Sequence, residues 1–392
     1  MSFIILGDSF TFPDGDAATN RVYSYAKGFN ENGIKVHVIC FKSGYSQFSN
    51  GISEGINYYH PFGQSERNNF FLVRRWFNFR KYLMTYSILK KINKKDKIIA
   101  VTFYTQQLWT LLFAYFLAKV LKIKIILERS EHPLRDYRAK AIMHWHGDLK
   151  LALETKVFDG IFCISNFIIG FYREKGFSQN KLFLVPSTVD TERFSSSFNA
   201  PLPYQYIMYC GSLTILKDGV NILIESFAKI ANNYPGINLV IVGRADCNED
   251  DIIFKNMVKT LNIENRVIFT GKLSRTDIPA YLCNARILAL ARPDSLIAEA
   301  GFPSKLTEYL ATGIPVVVTA VGEIPLYLKD NENAFLCEPG SSDAFAENLE
   351  FVLGNYEFAE QVGKRGKELT ATIFNYNFQA KRMIDFIANN LN

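Results

Sequence analysis

One segment of the chain combines a helix start, a cation and a carboxylate at a spacing that suits phosphate and ribose binding. Residues 301–318 have the pattern of a loop, a helix, a glycine stop and a buried strand. Pro303 favours the first turn, where Ser304 and Lys305 add a hydroxyl and a positive charge to N–H groups that lack helical partners. Such a helix start can hold a diphosphate, and Glu308, one turn later, can accept hydrogen bonds from a ribose diol. The alternative is an ordinary capped helix with a surface Lys–Glu face.

A second candidate phosphate element lies in a glycine-containing loop. Residues 211–219 read Gly-Ser-Leu-Thr-Ile-Leu-Lys-Asp-Gly and follow the first strand of the second half. Lys217 stands close to a helix start, where an ammonium group can neutralise a phosphate charge, although a lysine in such a loop is usually only solvated. Because the two segments follow different strands of one parallel sheet, we expect them to converge at one edge of it.

Short β-rich runs alternate with helical stretches along the chain, which predicts parallel sheets built from β–α–β units. Residues 194–203, rich in Ser and Pro, separate two such series and indicate a linker. The predicted fold is therefore α/β, with two Rossmann-like, doubly wound parallel-sheet domains that face a cleft. We place the first domain at residues 1–196, joined by a C-terminal helix at 375–392, and the second at residues 197–374.

The composition narrows the class of protein. Among the 392 residues, 48% are hydrophobic and 21% charged, and the net charge of +6 is modest, so neither extended disorder nor a general nucleic-acid binder is indicated. The six cysteines form no CxxC pair, which argues against a zinc site or a disulfide framework. No signal-peptide pattern opens the sequence, so we expect a cytoplasmic protein. The most apolar window, residues 108–121, falls short of the roughly 20 residues of a spanning helix and predicts a buried one.

The second half resembles the nucleotide-donor domain of family 4 glycosyltransferases, which are retaining enzymes of the GT-B fold. The matching segments are residues 211–219, 240–243, 267–273, 301–318, 322–323 and 333–336. In the first half, Glu154 and residues 159–165 are similar to the acceptor-domain helix and strand of that family. Residues 185–190 resemble its pre-linker segment.

The resemblance implies a role for each matching residue of the second half. Lys217 would bind the donor diphosphate and stabilise the departing nucleotide. Ser304, Lys305 and the backbone N–H of Leu306 would hold the phosphates. Glu308, the second glutamate of the family's paired-glutamate motif, would bind the ribose.

The first half contributes further expected site residues. Gly15 resembles a loop of the first domain that approaches the phosphates. His132, next to Glu131, lies where the family places a pocket histidine near the transferred sugar. The predicted catalytic residues are thus Lys217, His132 and Glu131. The predicted donor-binding residues are Gly15, Gly211, Ser212, Lys217, Gly243, Arg244, Gly271, Arg292, Pro303, Ser304, Lys305, Leu306 and Glu308.

Two positions depart from the family pattern. Ser212 stands where the family often has arginine, so Arg292 or Lys305 is the candidate for the second cation. The paired glutamates of the family are separated by seven residues, and counting back from the second one reaches Ala300. Glu299 lies one residue too early and would contact the sugar only if the loop bulges.

The basic and aromatic residues are concentrated between Phe70 and Lys97. This stretch contains Arg74, Arg75, Arg80 and Lys81 among many Phe, Trp and Tyr residues, and further lysines follow. One interpretation is an interfacial helix on anionic lipid. The other is a helix that packs its aromatic residues inward and solvates its cations, and the sequence favours neither. Nucleic acid is not an expected partner, because no recognisable binding module surrounds the stretch.

The expected function is transfer of a sugar from a UDP- or GDP-linked donor to a glycan or lipid-linked glycan, with retention of configuration, in bacterial surface polysaccharide biosynthesis. No cofactor and no catalytic metal are expected, since cationic side chains would neutralise the leaving diphosphate. Two alternatives stay open: a pseudoenzyme that binds a nucleotide sugar or a glycan, and a nucleotide-sugar epimerase of the same architecture. If the basic stretch binds lipid, the protein would be peripheral at the inner face of the membrane.

Overall fold

The chain forms two compact units of similar size. A computed structural model describes residues 1–42, 50–62, 69–132, 142–245 and 247–391, with only the backbone for residues 142–146 and 148. Unit 1 comprises Met1–Pro186 together with Tyr376–Asn392, and unit 2 comprises Ser187–Asn375.

Fourteen strands are present in the described ranges, and nearly all of them are parallel to their neighbours. Those of unit 1 are β1 Ser2–Gly7, β2 Lys35–Cys40, β3 Asn50–Ser53, β4 Ile56–Tyr59, β5 Ile98–Tyr104, β6 Lys124–Arg129, β7 Gly160–Cys163 and β8 Leu182–Leu184. Those of unit 2 are β9 Gln205–Cys210, β10 Ile237–Val242, β11 Val267–Gly271, β12 Ile287–Leu290, β13 Val316–Thr319 and β14 Phe335–Cys337.

Helices connect most of these strands. The helices within residues Met1–Pro186 of unit 1 are α1 Ala17–Glu31, α2 Phe71–Lys95, α3 Leu108–Leu121, α4 Ile142–Val157 and α5 Asn166–Glu174. Those of unit 2 are α6 Val220–Ile230, α7 Asn248–Thr260, α8 Ile278–Cys283, α9 Leu296–Ala300, α10 Ser304–Thr312, α11 Ile324–Tyr327, α12 Ser342–Gly354 and α13 Tyr356–Glu368. The last helix, α14 Tyr376–Asn390, returns to unit 1.

The sheet of unit 1 has the order β3-β4-β2-β1-β5-β6-β7-β8, in which only β3 runs antiparallel to its neighbour. Its central strand β1 is fully buried, as expected for a parallel strand covered on both faces. Helix α14 packs beside α1, and the Tyr376 hydroxyl donates to the Glu31 carboxylate at 2.6 Å. The sheet of unit 2 has the order β11-β10-β9-β12-β13-β14 and is entirely parallel. The predicted α/β class with two parallel sheets is therefore confirmed.

The boundary between the units differs from the predicted one. Unit 1 ends at Pro186 rather than at residue 196, because the intervening segment packs on unit 2. Its Ser187 hydroxyl donates to the Phe302 carbonyl at 3.4 Å. A short 3₁₀ turn at Thr191–Phe194 continues the segment and carries Arg193 to Glu308. These partners lie more than 100 positions away in sequence, so composition alone placed the boundary too late.

Helix α3 forms over the predicted window, but the expectation that it is buried is wrong. Trp109, Tyr115, Phe116 and Val120 are exposed on one of its faces, although Leu111 and Leu117 enter the core on the other. In α2 the inward-packing interpretation holds only in part. Phe71, Trp76 and Phe79 are exposed, whereas Phe77, Tyr82 and Tyr86 are half-buried against other rings. Within the described ranges, no helix is both long and apolar enough to span a bilayer.

His60 makes the stability of unit 1 sensitive to acid. Its ring is buried and its Nε2 donates to the Phe12 carbonyl at 2.8 Å. Burial lowers the pKa of His60 to about 4, and the Phe12 hydrogen bond only partly opposes this. The unfolded chain therefore binds more protons than the folded chain between pH 6.5 and 4, so the free energy of unfolding falls as the pH drops through that window.

We expect His60→Gln to reduce this acid dependence, because glutamine keeps a donor for the carbonyl and does not titrate. Urea denaturation at several pH values from 7 to 4 measures it. His37, whose pKa is also lowered to about 4 by burial, remains in the variant, so the dependence should shrink and not vanish. An identical pH profile for variant and wild type would contradict the assignment.

Candidate functional site

The predicted site residues of unit 2 gather at the carboxyl edge of its sheet, between β9 and β12. These strands are neighbours in space but are separated in sequence by β10 and β11, so the sheet reverses its direction of winding there. Loops that follow the two strands diverge at such a point and leave a crevice that commonly binds ligands. The loop after β9 is residues 211–219, and the segment after β12 leads through α9 to α10.

Three predicted glycines lie side by side at this edge. Gly211 donates its N–H to the Val242 carbonyl at 2.9 Å, and Gly243 donates to the Gly271 carbonyl at 2.9 Å. Gly243 has a φ of +135°, and a Cβ there would lie 1.8 Å from the Gly211 carbonyl oxygen. No other residue fits that position without moving the backbone, so glycine is required for the close approach of the two loops.

Lys305 is the central cation of the site. Its Nζ lies 2.7 Å from an Asp218 carboxylate oxygen and donates to the Tyr209 hydroxyl at 2.8 Å. The Tyr209 hydroxyl in turn donates to the Ser212 carbonyl at 2.5 Å. A Cβ on Gly211 would come within 2.5 Å of the ammonium, so the missing side chain makes room for it. The ammonium is thus held against the first glycine of the loop, which places Lys305 beside the Ser212 position where the family often has an arginine.

The Asp218 carboxylate is almost fully buried and ionised. Burial opposes its ionisation, but the charges of Lys305 and Arg292 outweigh that effect and lower the pKa of Asp218. Arg292 is also buried, and its Nη2 donates to the Ala298 carbonyl at 3.0 Å. Within the part of the chain that the structure describes, the Arg292 Nε has no hydrogen-bond partner. Counted with half-buried Lys217, three cations face one carboxylate, so the region retains a positive charge.

The loop that carries Lys217 is closed by Gly219. Gly219 adopts a left-handed φ of +63°, and a Cβ there would lie 1.8 Å from the Ala291 carbonyl oxygen. The hydroxyl of Ser295, which caps α9, donates to the Leu216 carbonyl at 2.8 Å and joins the same loop to the segment after β12. The loop after β9 and the segment after β12 are therefore packed together, as the sequence predicted for convergent phosphate elements.

Helix α10 is fixed to the sheet by Tyr309. The Tyr309 hydroxyl accepts a hydrogen bond of 2.7 Å from the backbone N–H of Cys210, at the end of β9. Pro303 occupies the position before the helix, and Ser304 is the first helical residue, half-buried at the edge. The N–H of Leu306, predicted to hold phosphate, donates here to the Pro303 carbonyl at 3.0 Å. The first N–H groups of the helix are the remaining candidates for an anion.

Glu308 is held by a residue that the sequence did not single out. Arg193 pairs with it across 2.6 Å, with both side chains largely buried, and also donates to the Arg275 carbonyl at 3.3 Å. The guanidinium therefore fixes one carboxylate oxygen of Glu308. Arg193 lies directly before the predicted linker, 115 positions before Glu308, and no local pattern marks it.

The other predicted residues of unit 2 are more peripheral. Ser212 and Arg244 are exposed, and the Arg244 carbonyl accepts from the backbone of Leu213 at 2.9 Å. Glu299 lies in α9, whose first turn is capped by Ser295, so this described segment has no bulge that would bring Glu299 to the position of Ala300.

The predicted residues of unit 1 lie in that unit's own framework. Gly15 packs against Thr11 and Thr19, where a Cβ would come within 2.3 Å of each hydroxyl oxygen. His132 is nearly buried, with its ring edge-on to Phe171 at 5.0 Å, and burial lowers its pKa. This histidine is therefore neutral at pH 7. The catalytic roles of His132 and Glu131 stay predictions.

The match to a known sequence family falls in the unit that carries this site. Residues 190–369 match the sequence model of the family described as "Glycosyl transferases group 1". Unit 2 is a group 1 glycosyltransferase domain. The expected family resemblance is confirmed by that match. A segment of 147 residues, 37% of the chain, is 31% identical to N-acetyl-alpha-D-glucosaminyl L-malate synthase of Bacillus anthracis. It covers only 35% of that protein, about a third of its length.

Solved structures resemble the fold of the whole chain and not only that of the group 1 domain. Sucrose-phosphate synthase of Thermosynechococcus elongatus has a TM-score of 0.77 at 18% identity, covering 99% of this chain and 98% of that one. HepE of Anabaena, solved in complex with UDP, has a TM-score of 0.70 at 15% identity over 99% and 100% of the two chains. The predicted GT-B architecture of two Rossmann-like domains is therefore confirmed.

The geometry of the group 1 domain makes the Lys305–Asp218 pair a structural as well as an electrostatic element. Removal of one partner leaves an uncompensated buried charge. We expect Asp218→Asn to lower the free energy of unfolding by about 3 kcal/mol. Asp343→Asn is the matched control, since Asp343 pairs with Lys229 on the surface of the same unit and should contribute less than about 1 kcal/mol.

Chemical denaturation of the two variants and of the wild type measures the difference. The double variant Asp218→Asn, Lys305→Met removes both charges and should recover part of the loss. Equal destabilisation by Asp218→Asn and Asp343→Asn would show that the buried pair is not special.

Proposed function

We propose that this protein is a retaining glycosyltransferase that moves a sugar from a UDP- or GDP-linked donor to a glycan or lipid-linked glycan. The observation that carries the proposal is the position of Lys305. Its ammonium stands at the end of β9, against Gly211, beside the start of α10 and in the same crevice as the Lys217 loop. A cluster of positive charges at the edge of a sheet and the start of a helix suits a diphosphate.

The proposed chemistry needs charge stabilisation more than a covalent catalyst. The bond between the anomeric carbon and the diphosphate oxygen breaks, and a bond from an acceptor hydroxyl to the same carbon forms on the same face of the sugar. The electron pair of the broken bond stays on the diphosphate, whose oxygen takes the acceptor proton. Lys305, Lys217 and the α10 start would stabilise the developing negative charge.

The Asp218 carboxylate and the Tyr209 phenol hold the Lys305 ammonium before any donor arrives. Burial raises the pKa of Tyr209, so the phenol stays protonated and continues to donate to the Ser212 carbonyl. A cation held in place by such partners needs little reorganisation when the leaving group becomes charged, which is the condition for effective electrostatic catalysis. We therefore assign to Lys305 the role of the missing family arginine.

Glu308, held by Arg193, would bind the ribose of the donor. Arg193 pairs with one oxygen of the Glu308 carboxylate at 2.6 Å. An ionised carboxylate has about four acceptor sites, so capacity for the ribose hydroxyls remains. The ion pair orients Glu308, and it makes Arg193 a positioning residue of this site.

Relatives support the donor class. The Bacillus anthracis relative is named N-acetyl-alpha-D-glucosaminyl L-malate synthase, and Anabaena HepE was solved with UDP. We propose a nucleotide sugar as donor and a bacterial surface polysaccharide or its lipid-linked precursor as acceptor. An acceptor at a membrane would agree with the exposed apolar and basic helices of unit 1.

We expect Lys217→Ala and Glu308→Ala each to lower kcat/KM by about 100-fold or more, because each removes a group that would contact the donor. Acceptor-dependent release of nucleoside diphosphate, screened over UDP- and GDP-sugars, measures the effect. Lys259→Ala is the matched control, since Lys259 is exposed on α7 of the same unit and should leave kcat/KM unchanged.

Three results would count against the proposal. Near-normal turnover in Lys217→Ala and Glu308→Ala would remove this site assignment. Donor binding without turnover over a broad acceptor panel would favour a binding protein instead, and conversion of the donor without acceptor would favour an epimerase. The configuration at the anomeric carbon of the product, read by NMR, tests retention.

A further inference from the structure

Helix α2 carries an apolar stripe that faces solvent. Leu72, Trp76, Phe79 and Leu83 recur at intervals of three and four residues and therefore share one face of the helix. Their exposed fractions are 78%, 57%, 56% and 52%. Apolar stripes at this spacing normally face a core, so a stripe that is open to solvent indicates a partner outside the described chain.

Helix α3 carries a second stripe of the same kind. Trp109, Leu112, Phe116 and Val120 follow the same spacing and are all exposed, with Trp109 at 68%. The opposite face of α3 packs into unit 1 through residues such as Leu111 and Leu117. The helix is therefore anchored by one face and open on the other.

The two helices contact each other through aromatic rings. Tyr82 lies 4.8 Å from Phe113 between ring centroids, and Tyr86 lies 5.8 Å from Phe116. The Tyr82 hydroxyl also lies 3.3 Å from the Thr110 hydroxyl. The exposed faces of α2 and α3 therefore belong to one surface of unit 1, which we call the α2–α3 surface.

The charge of this surface has a single sign. Neither helix contains an aspartate or a glutamate. The exposed cations of the two helices include Arg75, Lys90, Lys91, Lys94, Lys95 and Lys119. Near the start of α2 the cations alternate with aromatic residues, and Arg75 lies over the Phe71 ring at 5.0 Å from its centroid. The later lysines continue the positive charge along the helix.

We propose that the α2–α3 surface docks on the anionic face of a lipid bilayer. Large apolar side chains enter the boundary between headgroups and acyl chains, and the surrounding Lys and Arg residues contact anionic headgroups. Two tryptophans suit this boundary, because their rings combine an apolar body with a polar N–H. Neither helix need cross the bilayer for this mode of binding.

A second copy of the chain fits the surface less well. In a symmetric dimer each residue of the patch meets the same patch of its partner, so the cations of one copy would face those of the other. Like charges brought together at an interface oppose association. The absence of acidic residues from both helices therefore favours an anionic partner.

Binding of the full-length protein to vesicles tests the proposal. Sedimentation with phosphatidylcholine vesicles is compared with sedimentation with vesicles that also contain 30% phosphatidylglycerol. We expect binding only to the anionic vesicles, weakened by salt. The variant Lys90→Glu, Lys91→Glu, Lys94→Glu should lose at least tenfold in partitioning, since each basic residue near an anionic surface adds about fivefold. The variant Trp76→Ser, Phe79→Ser, Trp109→Ser should lose at least tenfold as well.

Matched controls come from exposed residues of unit 2. Lys259→Glu with Lys364→Glu changes charge, and Ile252→Ser with Leu326→Ser removes apolar surface. Neither pair should change vesicle binding. Thermal unfolding of every variant should match that of the wild type, because all substituted side chains are exposed, and this separates lost docking from lost folding.

Tryptophan fluorescence gives a second readout that does not depend on sedimentation. Trp76 and Trp109 should shift their emission to the blue on anionic vesicles, and Trp76→Phe with Trp109→Phe should abolish the shift. No binding of wild type to anionic vesicles would overturn the proposal. Equal binding by wild type and both triple variants would overturn it too, and so would a dimer in solution that the apolar variant dissociates.

Discussion

The buried ion pair between Lys305 and Asp218 is the contact on which the arrangement of unit 2's sheet edge depends. Two charges removed from water are costly unless each is paired and hydrogen-bonded, and here the Tyr209 phenol completes the shell of Lys305. Because Lys305 lies in the first turn of α10 and Asp218 lies in the loop after β9, the pair joins elements that are far apart in sequence. Gly219 allows that loop to close against the Ala291 carbonyl, so backbone sterics and charge act together.

The proposed diphosphate site contains a carboxylate, that of Asp218, among its cations. Asp218 cancels one of the charges of Lys217, Lys305 and Arg292, which reduces the attraction for a diphosphate but orients the ammonium that remains. The orientation of the ammonium contributes more to stabilising a developing negative charge than the net charge of the site does. A preorganised group does not have to move as that charge appears. The same reasoning applies to Arg193 and Glu308, where a cation orients the carboxylate that we propose binds the ribose hydroxyls.

Unit 1 repeats the fold class and differs in its surface. Its polar core contains the Arg21–Glu128 pair at 2.8 Å, which ties α1 to β6, and a second buried pair between Arg129 and Glu154. Its outer helices α2 and α3 expose large apolar side chains to water. Such exposure does not stabilise the folded chain, and contiguous exposed apolar residues indicate an interaction surface. Unit 2 has no comparable pair of helices among its described residues, so the two units differ most in what they present to their surroundings.

The sequence by itself determined the alternating elements, the glycine-punctuated loops and the start of α10, because hydrophobic periodicity and turn chemistry are properties of neighbouring residues. It therefore identified Lys217, Lys305 and Glu308 as the residues to examine. Only the tertiary structure decided which charges meet. Lys305 finds Asp218 and Glu308 finds Arg193 across separations of 87 and 115 positions, and no local pattern records such pairs. The exposure of α3 was settled in the same way, since its composition is apolar all round and only packing decides which face is buried.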